Sequence, residues 1–472
     1  MKYTKIVATL SDKRCDIEFI RQLYDAGMNV VRLNTAHIST EQALMMIQNV
    51  RSVSDNIGIL VDTKGPEIRT IGIAEPINVK EGDIIQVRGG EGVSNQQTIF
   101  VSYAHIQREV TIGKQILIDD GDLALTVIDK SDECLTCVVG NGGQIKNKKS
   151  INTPGVSVEL PSISEKDKEF IEFSAKNDVD FIAHSFVRNK QDVLAVQEIL
   201  DQFESKIKII AKIENLDGVN NIDEILKYAY GIMVARGDLG IEIAAEKIPS
   251  IQRNLIKKAV QQKKPVIIAT QMLHSMIDNP RPTRAEVGDV ATAIYDRTDA
   301  IMLSGETAYG NYPIESVNVM TKIALEVEAS KDKRNDLPVP RLDNETSAFL
   351  AEAAVLASKE LKVSAIVTDT LTGKIARYIA AFRGNLPVYA KCHNGRVKRE
   401  LSLSYGVFPS EIQSKKNKHK LIETALLDLV EKKMITAKDT VVYVGGNFGV
   451  GGGTSFIEIA SVEQMAYSKM KN

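Results

Sequence analysis

The sequence predicts an α/β chain: a (β/α)8 barrel, an all-β domain inserted after its third strand, and a C-terminal α/β domain. Three observations predict it. Eight short apolar runs, most of them separated by amphipathic stretches of helix length, lie between residues 4 and 306. A glycine-rich segment of alternating pattern interrupts them after the third run. A charged stretch containing proline, KDKRNDLPVPRLDNET, then sets off a further α/β alternation.

The eight runs are TKIVATL (4–10), MNVVRLN (28–34), GILVDTK (58–64), DFIAHSF (180–186), KIKIIAKIE (206–214), GIMVA (231–235), PVIIAT (265–270) and DAIMLSGE (299–306). Helices are expected at Asp16–Ala26, Thr40–Ser52, Glu165–Asn177, Lys190–Phe203, Asp217–Tyr230 and Ile251–Gln262. Continuous apolar strands between amphipathic helices mean a parallel sheet covered by helices. A doubly wound open sheet would read similarly. The count of eight, and polar residues placed consistently at the strand ends, favour the barrel. The barrel is assigned to 1–69 and 154–340, the insert to 70–153 and the C-terminal domain to 341–472. Insert strands are expected in DIIQVRG, QQTIFVS, QILIDDGDLALTVID and ECLTCVVG. The C-terminal domain is expected as helix 346–361, SAIVTD, helix 374–382, LPVYAKC, helix 396–403, helix 420–433, TVVYVGG and SFIEIASV.

Composition excludes several classes. Formal charge is −2, with lysine and arginine dispersed, so nucleic acid is not the expected partner. Four cysteines, Cys15, Cys134, Cys137 and Cys392, are too few and scattered for a disulfide scaffold and fit a reducing, cytoplasmic location. Cys134 and Cys137 form a lone CxxC. Residues three apart in a strand face opposite ways, so a zinc site is not expected there. The chain shows no signal peptide and no apolar run long enough to span a membrane.

Polar residues gather at the carboxyl ends of the strands: Arg32, Asn34, Asp62, Lys64, Ser185, Lys212, Glu214, Asp238, Thr270, Ser304 and Glu306. Lys212 and Glu214 are two apart and so share a strand face. Asp238 lies just past the next strand. Burying such charges is costly without a use. Two carboxylates beside an ammonium point to a divalent cation next to an anionic substrate. A purely structural ion pair between neighbouring strands is the competing reading.

Motifs spread over nearly the whole chain then become specific: VVRLN (30–34), DTKGPEIRT (62–70), IDDG (118–121), SFVR (185–188), AKIEN (211–215), VARGDLG (234–240), ATQML (269–273), PTRAE (282–286) and MLSGETA (302–308). On these motifs and the order of domains, the chain resembles pyruvate kinases. The resemblance implies phosphoryl transfer from phosphoenolpyruvate to ADP, giving pyruvate and ATP, in a homotetrameric enzyme. No G-x-x-x-x-G-K-[ST] is present, so a P-loop does not hold the phosphates. The resemblance makes Glu214 and Asp238 ligands of Mg²⁺ (or Mn²⁺), and Lys212 the group that stabilises the transferring phosphoryl and the enolate. It gives the Gly237 and Asp238 amides to the substrate carboxylate, and Arg32, Ser185 and Thr270 to the substrate. It gives Arg69, Lys149, His37 and Asn34 to the nucleotide. Asn34, Asp62 and Thr63 match the K⁺ site, and Glu67 is the family's mark of potassium dependence. Thr270, with Ser304 and Glu306 nearby, would organise protonation of the enolate.

The chain departs from the family at several places. Ala36 stands where a serine hydroxyl is usual, which predicts weaker potassium binding. His274 replaces a glutamate, and Ser150 and Thr153 replace Gly and Leu. In the C-terminal domain, Thr370, Thr372, Gly373 and Lys374 precede a helix and form a candidate cradle for a phosphorylated effector, with Gly445–Gly453 as a second wall. Two flexible turns are the alternative. Two other functions compete: a Mg-dependent pyruvate or oxaloacetate lyase, which has no need of the insert, and a catalytically weakened metabolite sensor.

Overall fold

A computed structural model describes residues 1–330, 345–413, 417–446 and 453–466. Eight parallel strands close into a barrel: β1 (Lys5–Leu10), β2 (Val30–Asn34), β3 (Gly58–Asp62), β4 (Phe181–His184), β5 (Lys208–Ile213), β6 (Gly231–Ala235), β7 (Val266–Ala269) and β8 (Ala300–Leu303). Each pairs with its sequence neighbours, and β1 closes on β8 through Lys5↔Ala300. The runs are apolar on both faces because helices cover the outside and side chains fill the inside. Local chemistry starts the helices. Asp16 caps Ile17–Asp25 by accepting from the Phe19 N–H, and capping boxes of Ser39 with Gln42 and Ser164 with Asp167 start the next two barrel helices.

The expected helix over 217–230 is two pieces, Leu216–Asn220 and Ile222–Tyr228. The Asn215 side chain caps the first piece by accepting from the Gly218 N–H. Within the described residues the insert holds a second closed barrel, of seven strands. One of these, Ile68–Ile71, straddles residue 69 and pairs with Ser150–Asn152, so the insert's hydrogen bonding begins before residue 70. The run 115–129 is two strands, Gln115–Ile118 and Leu123–Lys130. Asp119 and Asp120 turn the chain between them, each at φ +56°. The Gly121 that follows, at φ +96°, completes the turn.

The C-terminal sheet orders Val407–Glu411, Val388–Cys392, Ala365–Thr370, Thr440–Gly446 and Thr454–Ser461, the last antiparallel. The edge strand Val407–Glu411 is absent from the sequence reading. The helix expected over 396–403 is shorter, Gly395–Glu400, and a single tight turn, Leu401–Leu403, follows it. That turn carries Leu403 into the barrel's interior cluster with Val7, Val30, Leu60, Phe181, Ile210 and Ala300. The C-terminal domain thereby plugs the amino-terminal mouth of the barrel. Ion pairs surround the plug: Arg383 with Asp299 at 2.9 Å, and Arg399 with Asp180 at 2.6 Å.

Candidate active site

The two-residue period of a strand builds the site. Val7, Val30, Leu60, Ala183 and Ile210 point into the barrel. Two positions on stand Thr9, Arg32, Asp62, Ser185 and Lys212, which the pleat turns the same way. The polar layer is therefore the next storey of the interior, at the carboxyl end of the strands.

Lys212 is its centre. Its Nζ lies 2.9 Å from Asp62 Oδ1 and 3.0 Å from Glu214 Oε1, and it donates to Ser185 Oγ at 2.7 Å. Ser185 Oγ in turn donates to the Thr63 carbonyl at 2.6 Å. Asp62 Oδ2 accepts from Arg32 Nε at 2.5 Å, and Glu214 Oε2 accepts from the Phe186 N–H at 2.7 Å. Asp238, on the helix Arg236–Glu242, comes within hydrogen-bond reach of Glu214.

Burial works to lower the Lys212 pKa, but Asp62 and Glu214 outweigh it and hold the ammonium above the ordinary lysine value. Burial likewise works to raise Asp62, but Arg32 and Lys212 keep it below the usual carboxylate range. Glu214 and Asp238 are both raised, chiefly by burial; Lys212 opposes both shifts, Asp238 adds to that of Glu214, and Asp120 and Asp62 add to that of Asp238 while its hydrogen bond with Glu214 works against it. Two carboxyls pressed together and pushed upward are a pair that a cation would relieve.

The start of the helix Arg236–Glu242 is held from the neighbouring strand. The Gly237 N–H donates to Thr270 Oγ1 at 2.7 Å, so the hydroxyl engages this amide. A Cβ at Gly237 would stand 3.5 Å from that oxygen. Thr270 and Gln271 both adopt left-handed backbone, at φ +67° and +54°. Ser304 N–H donates to Glu306 Oε2 at 2.7 Å, and Leu273 N–H donates to Glu306 Oε1 at 3.1 Å. Glu306 therefore splints two loops.

Two of the residues expected on the nucleotide side, Arg69 and Lys149, lie where the insert joins the barrel, whereas Asn34 ends and His37 follows the barrel's second strand. Arg69 Nε donates to Glu67 at 2.9 Å, and its Nη1 donates to the Lys148 carbonyl at 2.5 Å. Lys149 pairs with Asp119 at 2.8 Å. Glu67 also lies 3.5 Å from Lys64, so the protein's own cations offset it. His37 is exposed, and the Ala36 N–H donates to Asn34 Oδ1 at 3.2 Å. Between insert and barrel runs a cleft of about 270 Å³, lined by Asp120, Ser150, Thr153, Phe186, Asp238 and Glu242 among others.

The donor sets can be weighed against the expected ions. Among the described residues no three His, Cys, Asp or Glu side chains converge on one point. Glu214 with Asp238 fits Mg²⁺, which takes one or two carboxylates and completes its shell with water and substrate oxygens. The potassium set fits less well. Asp62 faces Arg32 and Lys212, and Thr63 Oγ1 accepts from the Ser185 N–H at 3.0 Å.

At the candidate effector loop, Thr370 is buried and its Oγ1 accepts from the Gly373 N–H at 2.9 Å. Gly373 takes φ +73°, Thr372 Oγ1 accepts from the Lys374 N–H at 3.4 Å, and Lys374 pairs with Glu345. Residues 447–452 of the expected second wall lie outside the described residues.

Sequence reasoning passed over several residues that shape the site. Asp167 accepts from the Lys64 and Gly65 N–H groups at 2.8 and 3.2 Å. Its signal was the spacing Ser164–Asp167 of a capping box. Asp289 holds Arg236 at 2.6 Å and carried no signal, since it is a lone acid in mid-helix whose partner lies 53 residues away in sequence.

Comparison with known proteins places these features. A family model described as "Pyruvate kinase, barrel domain" matches residues 1–317, and one described as "Pyruvate kinase, alpha/beta domain" matches 349–460. A pyruvate kinase of Borreliella burgdorferi is 50% identical, covering 98% of each chain. One of Geobacillus stearothermophilus is 42% identical over 98% of this chain and 81% of its own length. The crystal structure of a pyruvate kinase from Cryptosporidium parvum matches with a TM-score of 0.92 at 37% identity, covering 98% of this chain and 96% of that one.

Proposed function

The chain belongs to the pyruvate kinase family, and from that premise we propose how its own residues move a phosphoryl group from phosphoenolpyruvate to ADP. The observation that supports the reading is Lys212 Nζ, 2.9 and 3.0 Å from two carboxylates at the carboxyl end of the barrel. That ammonium stays charged, and it faces the place where an anionic phosphoryl group would enter.

Phosphoryl transfer needs alignment and charge neutralisation more than covalent chemistry from the protein. Lys212 and Arg32 supply fixed positive charge for the phosphoryl oxygens. Ser185 and Asp62 hold Lys212 in place. Glu214 and Asp238 would hold Mg²⁺, or Mn²⁺ in its place. When bound, that ion neutralises phosphoryl and enolate oxygens. The Gly237 and Asp238 amides would receive the substrate carboxylate once Thr270 Oγ1 releases the first of them. Arg69 and Lys149 would meet the nucleotide phosphates, with Asn34 and His37 on the same side. Transfer to ADP breaks the substrate's P–O bond and leaves the enolate of pyruvate, which takes a proton at carbon. Thr270, with Ser304 and Glu306 supporting the neighbouring turn, would order the proton donor.

Potassium goes to Asn34, Asp62 and Thr63 by resemblance alone, since Arg32, Lys212 and the Ser185 N–H already engage Asp62 and Thr63, and Lys64 and Arg69 already offset Glu67. A phosphorylated effector is assigned to Thr370, Thr372, Gly373 and Lys374. A homotetramer is carried over from the family resemblance. A cytoplasmic location is favoured by four free cysteines. No helix among the described residues is long and apolar enough to cross a membrane.

The test is pyruvate formation from phosphoenolpyruvate and ADP with Mg²⁺, with and without K⁺, for wild type and Lys212→Met. Activity that collapses in the mutant supports the reading. Wild type that binds phosphoenolpyruvate without turnover would support a sensor instead.

A further inference from the structure

We propose that Arg236 is a positioning residue for the protonation of the enolate, acting by fixing the strained turn that aims Thr270. The inference rests on the assignment of Thr270 to that step.

Arg236 begins the helix that carries Gly237 and Asp238, but its guanidinium points across to the next strand. Nη2 donates to the Thr270 carbonyl at 2.7 Å and approaches Met272 Sδ at 2.9 Å. Nη1 lies 2.7 and 2.6 Å from the two Asp289 oxygens. The arginine side chain is only 10% exposed, while Asp289 is 38% exposed. One fork therefore ties the start of this helix, the turn after β7 and the helix Arg284–Tyr295 into one body.

That turn needs a restraint. Thr270 and Gln271 are consecutive left-handed residues, a region that side chains with a Cβ adopt rarely. Relaxation of either would swing Thr270 Oγ1 away from Gly237, to which it is bonded at 2.7 Å. The carbonyl that Arg236 grips belongs to the residue whose hydroxyl must be aimed. A lysine keeps the charge but cannot span carbonyl, carboxylate and sulfur at once. Asp289 orients the fork from outside and takes no part in the substrate cleft.

The experiment compares full-length wild type with Arg236→Lys, Asp289→Ala and Thr270→Ala. Two quantities are measured: kcat and KM for phosphoenolpyruvate with ADP, Mg²⁺ and K⁺, and deuterium uptake into the pyruvate methyl group in D₂O with ATP, Mg²⁺ and K⁺, followed by proton NMR. Arg236→Lys is expected to lower kcat and deuterium uptake together by about 10- to 100-fold, with KM within about threefold. Asp289→Ala is expected to move both in the same direction by a smaller factor, and it decides the matter alone if Arg236→Lys does not fold. Deuterium uptake lost in Thr270→Ala but kept in the other two variants overturns the positioning role. Uptake intact in Thr270→Ala overturns instead the assignment on which it rests. A raised KM with unchanged uptake in Arg236→Lys makes Arg236 a binding residue and also overturns the proposal.

Discussion

Asp62 and Lys212 are 150 residues apart in the chain, and their charged atoms stand 2.9 Å apart in the fold. Arg32 shares the same carboxylate. Asp62→Asn would leave two cations facing one neutral group. We expect kcat to fall by about 10²-fold or more, as when a preorganised electrostatic group is lost. Stability should drop by about 3 kcal/mol, the scale for breaking a buried pair from one side. Steady-state kinetics and thermal melting measure the two losses. Activity within tenfold of wild type would show that Lys212 is positioned without Asp62.

Magnesium should stabilise the protein by binding the folded chain alone. Melting temperature should rise with added Mg²⁺ in wild type. Glu214→Gln should abolish most of that rise, because one of the two carboxylates is gone. An equal rise in the variant would place the ion elsewhere.

Potassium activation should respond to residue 36. Ala36→Ser adds a hydroxyl beside Asn34, whose Oδ1 already accepts from the residue 36 N–H. The potassium concentration for half-activation should fall, read from velocity against KCl at constant ionic strength. An unchanged value would show that residue 36 does not set the potassium affinity.

Lys5 gives a pH signature remote from catalysis. It is buried against the C-terminal domain, donating to the Val407 carbonyl at 2.6 Å, with Phe408 beneath it at 4.6 Å. Burial pulls its pKa down to about 8, against the pull of Glu328 and Asp299. The unfolded chain, with lysine near 10.4, holds more protons between about pH 8 and 10. Stability from this group therefore rises with pH across that window, by up to about 3 kcal/mol. The difference in unfolding free energy between wild type and Lys5→Met, measured by denaturant at pH 7.5 and 9.5, should shift toward wild type at the higher pH. A difference independent of pH would refute this.

Leu403→Ala should cost about 3 kcal/mol, the middle of the range for a buried leucine. Leu403 is fully buried among barrel residues. Denaturant titration would show it, and a loss below about 1 kcal/mol would mean that the barrel floor collapses to refill the space.

Much of this was legible in the chain. Apolar runs between amphipathic helices announced the strands, and the polar residues at their carboxyl ends, Arg32, Asp62, Ser185 and Lys212 among them, announced the site. What was hidden depended on partners far off in sequence. Asp289 reads as an ordinary helix polar residue until Arg236 is seen to reach it. VFPSE does not look like a strand because Pro409 interrupts it, and proline is tolerated there because the strand lies at the sheet's edge. The run 115–129 read as one strand because the pattern on both sides of Asp119 and Asp120 alternates alike. The engagement of the Gly237 amide by Thr270 could not be read at all, since it depends on backbone placed by two loops.

Leu403 also sets a timetable. A ribosome delivers the barrel's eighth strand, ending at Leu303, about a hundred residues before the leucine that fills its floor. Through that interval the catalytic half is an unfinished vessel, with an oily opening on the face away from its chemistry. A message cut short would release a chain marked by that opening. Transiently exposed apolar surface of that kind is where aggregation begins, and shielding it is the work of chaperones.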